Sequence, residues 1–262
     1  MPELPEVELY RRLAERALGR VITAVDAPDA WYLKGGLTGS VASSVLAGRT
    51  FVAARRVGKL LLLDCSGDDG LVLGLRFGMS GRLIVDGVAG VDDLLYSSNR
   101  ELEQWDRFAV RFADGGALRM RDPRRLGGVS IDPDEGRLGP DAATLTLAEL
   151  RRALHGSHAP LKARVMDQAR IAGVGNLIAD EALWRAGLDP ARAAGSLSPA
   201  EVRRLQRHIV ATVDDFVRNG GSHTGVLLPH RVDGGRCPRD GTALIRRTIG
   251  GRTTWSCPGH QR

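Results

Sequence analysis

The order of apolar patterns along the chain constrains its fold more than any other feature. Up to residue 121, short apolar or alternating runs are separated by turn-rich stretches such as CSGDDG and ADGG, which is typical of antiparallel strands. Beyond residue 145 the apolar residues recur at helical spacing. The sequence therefore predicts an α+β protein of two domains, in which an antiparallel β-sandwich precedes a helical domain. The runs predicted as strands are 21–25, 51–57, 59–65, 71–77, 82–85, 107–112 and 117–121.

Helices are predicted at the N-terminus and in the second half of the chain. Apolar residues recur at helical spacing from Val7, and Gly19 offers a stop for this first helix. Capping-box signatures begin at Thr146 and at Ser198, and each precedes an apolar stripe. The chain is thus expected to carry one helix ahead of the β-sandwich and several helices after it.

Composition places the boundaries between these parts. The stretch IDPDEGRLGPDAAT is polar and rich in Pro, Gly and Asp, so we interpret 131–145 as a linker. Residues 1–130 then form the N-terminal β-sandwich domain and 146–233 the helical domain. The segment 234–262 is short and rich in arginine, and we expect a small appended hairpin there.

The net charge of +6 is unevenly distributed. Residues up to Leu145 carry 19 Lys+Arg against 21 Asp+Glu, whereas the residues after it carry 18 against 10. A basic C-terminal half is compatible with a polyanionic partner, although a GC-rich genome also enriches arginine. The cysteines, Cys65, Cys237 and Cys257, are too few for a disulfide framework and suit a reducing compartment.

The second residue is a candidate nucleophile. Removal of Met1 would leave Pro2 with a secondary α-amine, and an α-amino group titrates near neutrality, so a useful fraction is unprotonated. Such an amine can attack a sugar aldehyde carbon and form an iminium, which permits elimination of attached phosphates. Glu3 could then act as the acid or base that moves protons. Taken as a dipeptide alone, Pro2 and Glu3 favour a simple entry into a helix.

The stretch GVGNLIADEAL indicates an anion site. Gly173 and Gly175 allow the backbone to approach a bound group closely, and the N-terminus of the following helix favours negative charge. We expect Asn176 to cap this helix and to donate a hydrogen bond to a phosphate. Alone, the pattern is also that of an ordinary turn before a helix.

Metal-ligand spacing occurs near the C-terminus. Cys237 and Asp240 are separated by two residues, as are Cys257 and His260, and sixteen residues separate the two half-sites. This is the spacing of a zinc ribbon with two unusual ligands, and carboxylate and imidazole both bind Zn²⁺. The sequence therefore predicts one structural zinc ion.

Two other interpretations of this segment stay open. A metal-free hairpin could be packed by Leu244, Ile249 and Trp255, and His230 could replace one of the ligands. In either case Arg252 lies between the half-sites, on the connection between two short strands, where its guanidinium could reach a phosphate.

Taken together, these motifs resemble the formamidopyrimidine-DNA glycosylase and endonuclease VIII family of DNA-repair enzymes. The similar segments are PELPEVE at the start, GKLLLL, FGMSGRL, DPRRLG, GVGNLIADEALWRAG and the two half-sites of the tail. They occur in the family's order over nearly the whole chain. The resemblance implies a β-sandwich followed by a helix-two-turn-helix domain and a zinc-ribbon-like β-hairpin.

The resemblance also implies an activity and the residues for it. Members remove oxidised bases from double-stranded DNA and cleave the abasic strand by β and δ elimination through a Schiff base at an N-terminal proline. The catalytic residues would be Pro2, Glu3 and Lys59. The DNA contacts would be Met79, Arg124, Leu126, Lys162, Asn176 and Arg252, of which the first three fill the space left by an extruded nucleotide. A structural zinc, a monomeric state and a place in the bacterial cytoplasm with the nucleoid are further implications.

Departures from the family pattern keep the substrate open. The segment NGGSHTGVLLPHRVDGGRC looks short for a loop that covers 8-oxoguanine, which is more like endonuclease VIII, whereas the first seven residues are more like the formamidopyrimidine branch. Leu126 stands where a phenylalanine is common. The alternatives are an enzyme acting mainly as an abasic-site lyase or on oxidised pyrimidines, a non-catalytic protein that binds damaged DNA, and an amino-terminal-proline tautomerase. The tautomerase leaves the basic C-terminal half unexplained.

Overall fold

The computed structural model describes residues 2–91, 94, 100 and 102–262. The chain divides into two compact units. The N-terminal unit comprises Pro2 and Glu6–Glu135, and the C-terminal unit comprises Glu3–Pro5 and Gly136–Arg262. The division at residue 135 falls inside the segment interpreted as a linker, while the exact domain boundaries stay predictions. Met1, whose removal the sequence analysis requires, lies outside the described residues.

Two antiparallel sheets form the N-terminal unit. The first has the strand order β1-β7-β8-β5-β6 and the second the order β2-β3-β4-β9. The strands are β1 (Ile22–Asp26), β2 (Phe51–Val57), β3 (Leu60–Cys65), β4 (Val72–Arg76), β5 (Arg82–Val85), β6 (Val88–Ala89), β7 (Asp106–Phe112), β8 (Ala117–Arg121) and β9 (Gly128–Ile131). Buried side chains of both sheets belong to one apolar cluster. The β-sandwich fold class predicted from the sequence is confirmed.

Two helices accompany these sheets. Helix α1 spans Leu4–Ala14, and its Tyr10 lies in the apolar cluster with a ring centroid 4.5 Å from that of Phe77. Helix α2 spans Gly39–Leu46, and the Thr38 side chain accepts a hydrogen bond from the backbone N–H of Val41 at its start. Neither α2 nor β9 is predicted from the sequence, because eight and four residues are too few to establish a period.

The C-terminal unit is helical. Its helices are α3 (Leu147–Leu154), α4 (Leu161–Val165), α5 (Asn176–Ala186) and α6 (Pro199–Arg218). Both predicted capping boxes are formed, one by Thr146 and Glu149 and the other by Ser198 and Glu201. Short side chains at the caps satisfy N–H groups that the first helical turn leaves unpaired, which is why α3 and α6 begin where the sequence predicts. In the described part of the chain, every helix falls short of the length or apolarity that a membrane span requires.

The last part of the chain is a β-hairpin, as the sequence predicts. Strands β10 (Ile245–Ile249) and β11 (Arg252–Ser256) pair antiparallel, and Gly250 and Gly251 form the turn with φ of 57° and 71°. Behind the hairpin a small apolar cluster contains Trp184, Leu227, Leu244 and Trp255 together with two cysteines.

Candidate functional site

The Glu3 carboxylate lies at the N-terminus of α5. Its two oxygens accept hydrogen bonds from the backbone N–H groups of Leu177, at 2.8 Å, and of Ile178, at 3.1 Å. Glu3 is fully buried, and all three residues belong to the C-terminal unit. Because a helix N-terminus favours a negative charge, the contact stabilises a carboxylate that would otherwise be costly to bury. Pro2 directly precedes this residue and is itself buried.

The glycines of the GVGN stretch make room for this carboxylate. A Cβ on Gly175 would lie 2.1 Å from the carboxyl carbon of Glu3. Gly173 has a φ of 103°, and a Cβ there would lie 2.5 Å from Leu4 Cδ1. The sequence predicts an anion site here, and the structure fills it with a side chain of the protein itself.

The assignment of the helix cap at this site was wrong. The N-cap residue of α5 is Gly175, and Asn176 is the first helical residue. Asn176 is half-buried, and its Oδ1 accepts no hydrogen bond from the residues that the structure describes. Glu3 already accepts hydrogen bonds from two N–H groups of the first turn. A phosphate contact here would therefore have to come from Asn176 itself, through its backbone N–H or its side-chain amide.

A second buried carboxylate follows one turn along α5. Asp180 is 2 % exposed and lies 2.7 Å from the Lys162 ammonium and 3.0 Å from the Arg231 guanidinium. Burial raises the pKa of Asp180, and the two cations oppose this effect. Burial likewise lowers the pKa of Lys162, which Asp180 and Glu3 partly offset. The first turns of α5 thus bring together two acidic and two basic side chains.

Lys162 is buried inside this network. Its side chain is fully enclosed, and besides pairing with Asp180 it donates hydrogen bonds to Thr253 O, at 3.1 Å, and Thr254 Oγ1, at 2.8 Å. Both threonines lie on β11, whose first residue, Arg252, is exposed. A direct DNA contact by Lys162 would require its ammonium to leave the ion pair, so the geometry gives Lys162 a supporting place behind the strand that carries Arg252.

Lys59 lies in the turn between β2 and β3 of the N-terminal unit. This turn is connected to α1 through Arg56, which donates to Gly58 O, at 3.0 Å, and to the Glu8 carboxylate, at 3.2 Å. Burial by itself would raise the pKa of Glu8, but Arg11 and Arg56 hold it below its ordinary value. The Lys59 backbone is therefore fixed to the helix that follows the N-terminal residues.

The loops that carry Met79 and Leu126 share one buried carboxylate. Asp122 is fully buried; it accepts hydrogen bonds from Ser80 Oγ, at 2.5 Å, and from the backbone N–H groups of Arg124, at 3.1 Å, and Gly127, at 2.8 Å. Ser80 follows Met79 directly, so the same carboxylate fixes both loops. Asp122 opens the DPRRLG motif, but its hydrogen bonds to both loops could not be predicted from the sequence.

The two loops are also in backbone contact. Gly78 has a φ of 57°, and a Cβ there would lie 2.4 Å from the carbonyl carbon of Leu126. Met79 is half-buried, Arg124 is exposed, and Leu126 is 52 % exposed. The three residues predicted to fill a void in DNA are thus presented by two adjoining loops, and Leu126 is a surface side chain rather than a core residue.

The four predicted metal ligands come together at the base of the hairpin. One ligand atom from each of Cys237, Asp240, Cys257 and His260 lies within 4.8 Å of the others. The His260 Nδ1 is 3.1 Å from Asp240 and 3.7 Å from the Cys237 sulfur. His230, the alternative ligand, is absent from this cluster of described residues.

Contacts around the cluster suit a bound zinc ion. His260 Nε2 lies 3.1 Å from Trp184 O, which leaves Nδ1 to face the cluster. Trp184 Nε1 donates to the Cys237 sulfur, at 3.3 Å, and a backbone hydrogen bond from Thr242 contributes most to a lowered pKa of Asp240. Two sulfurs, one nitrogen and one oxygen are a donor set that tetrahedral zinc accepts, so the residues present fit the ion.

Comparison with known proteins gives matches to one enzyme family over nearly the whole chain. Residues 1–129 match the profile of the formamidopyrimidine-DNA glycosylase N-terminal domain, and residues 138–227 match that of the formamidopyrimidine-DNA glycosylase H2TH domain. The chain is 36% identical to the formamidopyrimidine-DNA glycosylase of Heliobacterium modesticaldum, with 100% of both chains covered. It is 35% identical to that of Paracoccus denitrificans, with 98% of this chain and 99% of the relative covered.

Solved structures with the same fold contain DNA. A complex of the LlFpg protein with a THF-DNA and an inhibitor has a TM-score of 0.84 and 26% identity, and both chains are covered completely. A complex of Lactococcus lactis Fpg with a Fapy-dG containing DNA has a TM-score of 0.83 and 25% identity, with 99% of this chain and 100% of the other covered.

The contact between Gly175 and Glu3 gives a first prediction. In Gly175→Ala the added methyl group must push the carboxylate away from α5, so two N–H groups and a charge lose their partners. We expect the free energy of unfolding to fall by about 2–4 kcal/mol in chemical denaturation. Gly39→Ala is the matched control, because a Cβ there lies 3.6 Å from its nearest neighbour, an ordinary contact. Equal stability of the two variants would contradict this account of Gly175.

Proposed function

Because the chain belongs to the formamidopyrimidine-DNA glycosylase family and is thereby a DNA-binding glycosylase of base-excision repair, we propose that it is bifunctional. In this proposal it excises an oxidised base and then cleaves the abasic strand through a Schiff base at Pro2, after removal of Met1. We expect it to act as a monomer on double-stranded DNA in the bacterial cytoplasm, at the nucleoid.

One observation carries the proposal, namely the buried Glu3 carboxylate on the N-terminus of α5. This carboxylate is held by two backbone N–H groups and immediately follows the proposed nucleophile in the chain. A general acid or base has to be fixed within reach of the atoms between which it moves protons. A purely structural carboxylate could be replaced by a neutral cap at lower cost, since burial of a charge is expensive.

Base excision begins with attack by the Pro2 amine on C1′ of the damaged nucleotide. The bond between nitrogen and C1′ forms as the glycosidic bond breaks, and the base leaves with the bonding electron pair and takes up a proton. The Glu3 carboxylate takes up the proton that the Pro2 nitrogen loses and passes it to the ring oxygen O4′, so the bond between C1′ and O4′ breaks and the sugar opens to an iminium joined to Pro2. The secondary amine has by then lost its proton, and the positive charge lies on the iminium nitrogen.

Strand cleavage uses this iminium as an electron sink. Loss of a proton from C2′ breaks the bond between C3′ and its phosphate oxygen, which is β elimination. Loss of a proton from C4′ then breaks the bond between C5′ and the second phosphate oxygen, which is δ elimination. Water hydrolyses the iminium and frees Pro2. We assign Lys59 to proton handling at the abasic sugar.

DNA is held in this proposal by residues of both units. Met79, Arg124 and Leu126 fill the void left by the extruded nucleotide, and the contacts between their loops support this role because a wedge has to be rigid. Asn176 and Arg252 bind phosphates. We propose that Lys162 acts indirectly, by supporting the hairpin strand that begins at Arg252.

The choice of lesion depends on the segment 219–236. Hydrogen bonds join the backbone of this segment to Glu181 of α5. The Glu181 carboxylate accepts from the N–H groups of Val226, at 3.3 Å, and Leu227, at 2.9 Å. A short and anchored segment favours oxidised pyrimidines over 8-oxoguanine, whereas the first seven residues favour the formamidopyrimidine branch, so both substrate classes stay open. Excision from a panel of duplexes that contain 8-oxoguanine, formamidopyrimidine, thymine glycol or 5-hydroxycytosine separates the two classes from each other and from the alternative of an enzyme acting mainly as an abasic-site lyase.

We further propose that Cys237, Asp240, Cys257 and His260 hold one zinc ion. Bound there, the ion would join the two half-sites and fix the ends of the hairpin. Its contribution is structural, and no chemical step of base excision or strand cleavage requires it.

Trapping with borohydride tests the nucleophile. Reduction of the iminium should give a stable covalent complex between the enzyme and DNA that contains an abasic site. We expect Pro2→Gly to lower the yield of the complex and the incision rate by at least about ten-fold. Pro28→Gly, at an exposed proline of the N-terminal unit, is the control. Two results would refute the Schiff base: no trapped complex from a preparation whose N-terminus is verified as Pro2, and unchanged incision by Pro2→Gly. If no complex is trapped although the protein binds the duplex, the non-catalytic alternative is favoured.

Elemental analysis tests the metal. We expect about one zinc per chain in the purified protein and substantially less in His260→Ala, which removes a nitrogen ligand. His158→Ala, at an exposed histidine outside the cluster, should keep the ion. A zinc content near zero in the unaltered protein would mean that the hairpin is held by its apolar cluster alone.

A further inference from the structure

Trp31 is a large apolar side chain left in solvent. It is 68 % exposed, whereas Trp184 and Trp255 are only 6 % and 7 % exposed. The Lys34 ammonium lies 4.8 Å from the centroid of the Trp31 ring. An exposed indole ring with a cation at its face offers a planar surface on which a further group can stack.

The ring borders the loop already assigned to DNA. Trp31, Arg124, Arg125 and Leu126 line one open surface pocket of about 400 Å³. Leu126 contributes a second exposed apolar side chain to the pocket, at 52 % exposure. The pocket therefore combines an aromatic face, an aliphatic side chain and arginine side chains, all within the N-terminal unit.

Both sides of this pocket are held in place. The Arg125 guanidinium donates two hydrogen bonds of 2.6 Å to the Asp29 carboxylate, and Arg125 has the left-handed φ of 56° that few residues other than glycine adopt. The backbone N–H of Lys34 donates to Val129 O, at 2.8 Å. Since Asp29 and Lys34 flank Trp31 while Arg125 and Val129 flank Leu126, these contacts hold together the two backbone segments that carry the ring and the leucine.

Charge and shape indicate the occupant. Lys34 is half-exposed and Arg124 is exposed, and the side chain of Arg124 makes no ion pair within the described ranges. Cations at the edge of an aromatic surface fit a nucleotide, whose base stacks on the ring while its phosphate meets the charge. Leu126 can occupy space in a base stack but offers no π face, and Trp31 supplies one beside it.

We propose that Trp31 is a binding residue for damaged DNA and stacks on a nucleobase exposed next to the position that Leu126 enters. The inference rests on the proposed role of the loop 124–126 in DNA binding. It assigns damage recognition to a second segment, 29–34, which lies outside every motif of the sequence. Intact duplex offers no such base, so the contact adds affinity for damaged DNA only.

Binding measurements on two duplexes test the proposal. One duplex carries a tetrahydrofuran abasic-site analogue and the other is undamaged. We expect Trp31→Ala to bind the analogue about ten-fold more weakly than the unaltered protein does, since stacking of a base on an aromatic ring contributes about 1–3 kcal/mol. Binding to the undamaged duplex should change by less than about two-fold, and Trp31→Phe should restore most of the loss. Val52→Ala, at another exposed apolar residue of the same unit, is the control.

Tryptophan fluorescence gives a readout that does not depend on Trp31→Ala folding. The analogue duplex should quench the emission of the unaltered protein, and Trp31→Phe should bind with little quenching. Unchanged affinity in Trp31→Ala, an equal loss on both duplexes, or full quenching in Trp31→Phe would each overturn the proposal. Borohydride trapping by the unaltered protein separates a failure of the Trp31 proposal from a failure of the proposed function. The trapped bond forms at Pro2, so trapping would still occur if Trp31 did not stack on a base.

Discussion

The hydrogen bonds from Leu177 and Ile178 to the Glu3 carboxylate join the start of the chain to a helix 174 and 175 residues further on. The arrangement at the start of α5 follows from the cost of burying this charge. Gly175 has to lack a side chain, α5 has to begin beneath the carboxylate, and the N-terminus of the helix has to point at it. A second acidic residue, Asp180, is then tolerated in the same helix because Lys162 and Arg231 supply two compensating cations. The catalytic carboxylate of the proposed reaction is thus part of the unit's structure as well as of its chemistry.

Most of the secondary structure could be predicted from local chemistry. Alternating runs gave the strands β1 to β5, β7 and β8, and the capping boxes located the starts of α3 and α6 because caps act over only three or four residues. Helix α2 was missed, since its apolar stripe of Val41, Ala42, Val45 and Leu46 covers only two turns. The glycines before α5 indicate a close approach of an anion, and the Glu3 carboxylate lies there; the phosphate contact of Asn176 stays a prediction. Gly173 and Gly175 indicate that another group lies close to their backbone. That this group is the Glu3 carboxylate could not be predicted, because the contact joins residues far apart in sequence.

Functional residues were predicted where a local motif determines their position, and not where long-range packing determines it. Motif spacing was sufficient to bring the four metal ligands together, because each half-site is a local turn and the hairpin pairs the two. It was insufficient for Lys162, whose burial depends on the packing of α4 against β11, and for Asp122, whose hydrogen bonds reach two loops. Trp31 shows the limit most clearly. Its segment has neither periodicity nor a motif, and only its exposure beside Leu126 indicates a role in binding DNA.

The central claim is that Glu3 moves protons in the reaction and does not only hold α5 in place. Glu3→Gln tests it most directly, because the amide keeps the shape of the side chain and can still accept a hydrogen bond from the helix. Under single-turnover conditions on a duplex with an oxidised base, we expect the rate of base excision to fall by at least about 100-fold, with DNA affinity unchanged within a few-fold. Glu15→Gln, at an exposed glutamate of the same segment, should excise normally. Excision by Glu3→Gln at close to the unaltered rate would contradict the account and leave the carboxylate with a structural role only.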